Sequence, residues 1–159
     1  MVVAVSFFQP QNKSTTPRTF KNAREVIDFL LPEAVKDAET QSHVHLDYSV
    51  ESIRRVESIF GELHARYASN PSSIAVKGLA SAYGAYIGEV IRRTETNVNW
   101  ETSDSVGGEK SYPLIWAGGH AYPMGWCYHR IVEGDSDNVW VKYPALKERA
   151  SHPSPTPKK

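Results

Sequence analysis

The chain has 159 residues, enough for one domain with its own hydrophobic core and no need of disulfides or metals to hold it together. Eighteen basic residues balance eighteen acidic ones, so no net field draws the molecule to nucleic acid or anionic lipid. A single cysteine, Cys127, excludes an internal disulfide and is compatible with a reducing compartment.

The opening Met1-Val-Val-Ala-Val-Ser-Phe-Phe8 is apolar but short, without a basic flank or a small-residue cleavage pattern. It reads as a strand or docked arm in preference to a secretion signal. With the polar, turn-forming residues after it, it makes a lead-in over residues 1–21. No run approaches the roughly 18 apolar residues of a membrane span, so a cytoplasmic protein is expected. A single domain is expected over 22–147, followed by a proline-rich, disordered tail over 148–159.

From Asn22 the pattern is helical, with Val26, Ile27, Leu30, Leu31, Ala34 and Ala38 on one face. Pro32 predicts a kink or a restart. A second helix is capped by Asp47 or Ser49, carries the stripe Ile53, Val56, Phe60, Leu63 and Tyr67, and ends at Asn70-Pro71. A third, about 73–93, has an apolar face through Leu79, Tyr83, Tyr86 and Val90. Its other side is built of small residues, including Gly78, Gly84 and Gly88. Each interior glycine costs helix stability, about 1 kcal/mol relative to alanine, so the three predict close approach of another backbone. This helix is expected to be central and the most buried.

Beyond Asn97 the signals are those of strands and turns. Val98-Asn-Trp-Glu-Thr102 alternates, and Gly107-Gly108, Gly118-Gly119 and Gly134-Asp135 read as turns. Tyr112–Ala117, Trp126–Glu133 and Asn138–Tyr143 read as strands between them. Tyr112-Pro-Leu-Ile-Trp116 is echoed by Tyr122-Pro-Met-Gly-Trp126, taken as a repeated strand entry. The expected fold is α+β, three main helices packed on an antiparallel sheet of four or five strands.

Three constellations could carry chemistry. His43, His45 and Asp47 alternate along an extended segment and could converge on a metal, although Asp47 is equally placed as a helix cap. Cys127 and His129 would share a strand face as a thiolate–imidazolium pair, against the plainer reading of a buried cysteine among aromatics. His120, after two glycines, reads as a turn residue. Glu89, on the small-residue side of the third helix, reads as a partly buried carboxylate. Arg92 and Arg93, one turn on, offer it a plain i,i+3 or i,i+4 ion pair. The favoured expectation is a bond to the Trp100 indole or to sheet amides, in one packed cluster with Gly84, Gly88 and Trp100. The aromatics from Trp100 to Tyr143 are divided between core and a partner-binding surface.

Leu46-Asp-Tyr-Ser-Val-Glu-Ser-Ile53 and Tyr83-Gly-Ala-Tyr-Ile-Gly-Glu-Val-Ile91, with Trp100 beyond, resemble small uncharacterised bacterial proteins grouped as a domain of unknown function. The resemblance spans roughly residues 46–143. It implies a bacterial origin and a fold, and transfers no catalytic residue. No phosphate loop, cofactor signature or complete catalytic set is legible. The expectation is a non-enzymatic protein of accessory or immunity type, without cofactor, acting on an unidentified protein partner and on neither nucleic acid nor membrane. The alternative is a small hydrolase using His43, His45 and Asp47 with metal, or Cys127 with His129.

Overall fold

A computed structural model describes residues 18–152. Among these are five α-helices, α1 (Ala23–Gln41), α2 (Val50–Ser69), α3 (Val76–Thr94), α4 (Pro123–Glu133) and α5 (Val139–Ser151), and a small sheet. The strands β1 (Asn99–Trp100), β2 (Leu114–Trp116) and β3 (Gly119–Ala121) are antiparallel in the order β1-β2-β3. The expected arrangement of three helices on four or five strands is therefore corrected. The described fold is mainly helical, and its sheet has three short strands.

Local chemistry sets the first half. Asn22 caps α1, its side chain accepting from the Glu25 N–H, and the helix runs unbroken through Pro32, so no restart occurs there. Ser49 caps α2 by accepting from Ser52 N–H. Asn70 closes α2 and starts a 3₁₀ turn over Pro71–Ser73. Helix α3 lies at the centre, packed on α1, α2 and α4 and buried almost without break from Gly78 to Ile91.

The expected strands over Trp126–Glu133 and Asn138–Tyr143 are helices instead. Their aromatic and β-branched content favours strands, but their burial follows a helical period. Pro123, Cys127 and Ile131 face inward along α4, as do Val139 and Tyr143 along α5. Pro123 occupies the first turn of α4, where its missing N–H costs nothing, and Gly134 closes it at φ 93°. The Tyr-Pro echo thus splits: Pro113 precedes a strand, and Pro123 starts a helix. Helix α5 continues to Ser151, past the expected boundary at 147. The segment Met1–Phe8 and the Pro-x-Pro portion of the tail lie outside the described residues.

The hairpin β2–β3 turns on Ala117 and Gly118, both left-handed at φ 48° and 74°, as a tight two-residue turn demands. Between β1 and β2 the chain loops over 101–113 and folds back on itself at an Asp104–Gly108 bridge.

Small residues on α3 are contact points. A Cβ on Gly84 would fall 2.4 Å from Met124 Cα, and one on Gly88 would fall 2.2 Å from Trp100 Cζ2. The first lets α4 touch the axis of α3, and the second seats the β1 indole against it. On α4, Arg130 is 3% exposed, donates to Glu57 of α2 at 2.6 Å and forms an ion pair with Asp135 at 2.9 Å. Glu57 also accepts the Val139 N–H at 2.9 Å, so one carboxylate joins α2, α4 and α5.

Candidate functional site

Glu89 accepts four hydrogen bonds and is among the most buried charged side chains of the described residues, at 1% exposure. It faces α1, not the sheet. Its Oε1 accepts from Arg92 Nη2 at 2.8 Å and Arg93 Nε at 3.0 Å. Its Oε2 accepts from Arg92 Nε at 2.9 Å and from Arg24 Nη1 of α1 at 3.0 Å. Burial alone would push this carboxyl up. The three guanidiniums, Arg92 first, outweigh it and hold the group down at about 2. Glu89 is therefore ionised under all ordinary conditions.

The expected partnership of Glu89 with Trp100 does not form. Trp100 packs on Gly88, one residue away but around the helix, and its buried Nε1 has no hydrogen-bond partner among the described residues. Gly84 sits a turn earlier beneath α4. Of the four residues, Gly84 packs under α4, Gly88 against Trp100 of β1, and Glu89 turns to α1.

Around Glu89 the three arginines keep roughly half of their side-chain surface: 43% for Arg24, 38% for Arg92 and 45% for Arg93. Arg24 also pairs with Asp28 on its own helix. Arg93 lies with its guanidinium carbon 3.8 Å from the centroid of the Tyr48 ring. Tyr48 in turn stacks on Tyr86 at 4.8 Å, and its N–H donates to the Tyr86 hydroxyl at 2.8 Å, which itself donates to Ser52 Oγ at 2.8 Å. The segments Leu46–Ile53 and Tyr83–Ile91 therefore meet here. Tyr48 and Ser52 of one lock onto Tyr86 of the other. Tyr48 adopts φ 60°, the left-handed region that a bulky residue seldom enters.

The other sequence candidates fall elsewhere. His43 and His45 are exposed, and His45 Nδ1 lies 3.4 Å from Glu39. Asp47 accepts from the hydroxyl and N–H of Ser49 and from Arg55 Nη2, which together hold it well below the usual carboxylate range. Asp47 thus braces the start of α2. Among the described residues no three His, Cys, Asp or Glu side chains gather as metal ligands would. Cys127 is wholly buried on α4 and its thiol is pushed well up, first by burial and then by Glu57, whereas His129 is exposed. Two apart on a helix, these residues point to nearly opposite sides. The shared face expected of a strand is lost.

A second polar hub escaped the sequence. Asp104 accepts from Tyr122 Oη at 2.6 Å, from His120 Nδ1, and from the N–H groups of Val106 and Gly107. These bonds, Tyr122 first, hold its carboxyl well below the usual range. His120 is thus no simple turn residue but a strand residue tied to the 101–113 loop. Sixteen residues separate it from Asp104, and no local spacing signals the pair.

Of the aromatics from Trp100 onward, Trp116 and Tyr143 are core, their ring centroids 6.4 Å apart, while Tyr128 is exposed. No helix of the described residues is long and apolar enough to cross a membrane. Comparison with family models, curated proteins and solved structures finds no match.

Proposed function

We propose that the protein acts by non-covalent contact with another protein, and that Tyr48, Arg24, Arg92 and Arg93 form the contact face. The partner presents an acidic segment to it. A cytoplasmic setting and an accessory or immunity-type role complete this reading, in a bacterial protein.

One observation supports it above the rest. A single buried carboxylate organises three guanidiniums that stay half-exposed, and with Asp28 included the cluster keeps an excess of one positive charge. The network that compensates the buried carboxylate thus also presents three guanidiniums to solvent side by side. A preorganised set of arginines loses less entropy on meeting an acidic surface, because its side chains are already placed. The alternative hydrolase is disfavoured by geometry. Cys127 is sealed in the core away from His129, and Asp47 is committed to Ser49 and Arg55.

The test compares the native chain with Arg93→Glu. Proteins retained from the host lysate are quantified for both, and any protein that distinguishes them is purified and titrated directly. A partner lost at least tenfold with Arg93→Glu, with affinity falling as salt rises, supports the reading. A partner that binds both forms equally places the contact elsewhere. An oligonucleotide that binds more tightly than any protein makes the partner a nucleic acid and ends this reading.

A further inference from the structure

Arg93 has the geometry of a residue held ready for a ligand. Of the five N–H groups of a guanidinium, it uses only Nε–H, on Glu89, and its terminal nitrogens make no hydrogen bond among the described residues. Stacking on Tyr48 fixes the plane of the group and leaves its edge to solvent. Next to it, Arg92 is anchored through Nε and Nη2, and its Nη1 makes no hydrogen bond among the described residues. Arg24 is spent on Asp28 and Glu89 and forms the back of the cluster.

The floor beneath Arg93 is under strain. Tyr48 sits at φ 60°, and that strain is held by its stack on Tyr86 and by its N–H bond to the Tyr86 hydroxyl. A left-handed aromatic residue persists only where its surroundings over-determine it, and such positions concentrate at ligand clamps. Here the strained residue is the one that sets the plane of Arg93.

Resting on the partner-contact reading, we propose that Arg92 and Arg93, above Tyr48, bind one oxyanion group, a carboxylate or a phosphate, carried by the acidic segment of the partner. Two neighbouring guanidinium edges match the paired oxygens of either group, and guanidinium recognises both in the same forked geometry. The charge of Glu89 is outweighed by the three guanidiniums that bond it, so the cluster as a whole still attracts an anion.

The experiment titrates the full-length chain in two arms, with inorganic phosphate and with an acetylated, amidated Glu-Glu-Glu peptide. The readout is the arginine Nε–H signals by NMR. Saturable shifts confined to Arg92 and Arg93, in the millimolar range expected of a small exposed site at about −4 kcal/mol, support the site. They should weaken roughly tenfold in Arg93→Lys, which keeps the charge but loses the fork. A response to phosphate alone identifies a phosphoryl ligand, and a response to the peptide alone identifies carboxylates. No saturable shift in either arm, or equal shifts in Arg93→Ala, overturns the proposal. If neither anion binds while partner retention still depends on Arg93, the oxyanion site falls and the contact face stands. If an anion binds while partner retention ignores Arg93, the oxyanion site stands and the contact face falls. Thermal melts of Arg93→Lys check that the fold is unchanged.

Discussion

At position 88 the absence of a side chain is what lets β1 reach the helix. Gly88→Leu drives atoms into the Trp100 ring, from which even a Cβ would lie 2.2 Å away, so a melt or denaturant titration should show a loss of about 1–3 kcal/mol. Gly84→Ala meets backbone instead of a ring edge and should also destabilise measurably, since Met124 Cα cannot rotate aside. At position 89, Glu89→Ala removes bonds from three cations and should cost roughly 1–3 kcal/mol. Glu89→Gln should cost nearly as much. Both carboxylate oxygens accept from arginine, and an amide turns its NH₂ group toward one of those donors. The pH dependence follows from the lowered carboxyl. Its stabilisation is complete above the ordinary value of 4.5 and is lost as pH falls through about 2, so Glu89→Gln should flatten the acid limb of a stability profile. The sequence showed that Glu89 needs compensation, because a carboxylate beside helix glycines is headed for burial. Arg92 and Arg93 are legible as helical neighbours of Glu89, whereas Arg24, sixty-five residues distant, carries no local signal.

Among the elements, the helices of the first half were legible because cap, stripe and stop agree: Asn22, Ser49 and Asn70 each stand where a helix boundary falls. The second half was misread from composition. Trp126-Cys-Tyr-His-Arg-Ile-Val has the residue types of a strand, yet Pro123 at its head and Gly134 at its tail are helix punctuation. Tertiary packing against α2 and α3 then settled the period. The clamp between α2, α4 and α5 shows how strongly that packing is specified. Glu57→Ala should leave the 3%-exposed Arg130 without its main carboxylate and cost about 3–5 kcal/mol, measured by chemical denaturation. Joint replacement of Glu57 and Arg130 by Gln and Met should cost less than the single change. For the 101–113 loop, Asp104→Asn weakens the hold on His120 and Tyr122. Faster hydrogen exchange at the Val106 and Gly107 amides is the expected result, with the remaining core unaffected.

For the whole molecule, Cys127 offers a report on cooperativity. It lies at 0% exposure on α4, between α2 and α3, so a thiol probe can reach it only when these helices part. Labelling of the native protein should follow the free energy of global unfolding and accelerate in parallel with Glu57→Ala and Gly88→Leu. Fast labelling insensitive to both would mean that α4 opens alone.

The saturated carboxylate of Glu89 has one further effect, on how binding responds to acidity. Its proton is half gone at about pH 2 and fully gone well before pH 5, guanidiniums remain charged throughout, and burial pushes the Tyr48 phenol up from its ordinary 10.0. From about pH 5 to 9 the arginine face is thus a fixed charge, and any change in affinity over that range is written by the ligand. A phosphoryl group gains its second charge near pH 6, whereas a carboxylate has completed its titration near pH 4. Affinity that climbs between about pH 5 and 7 therefore marks the first, and a level profile marks the second. The receptor is silent, and the proton reads the guest.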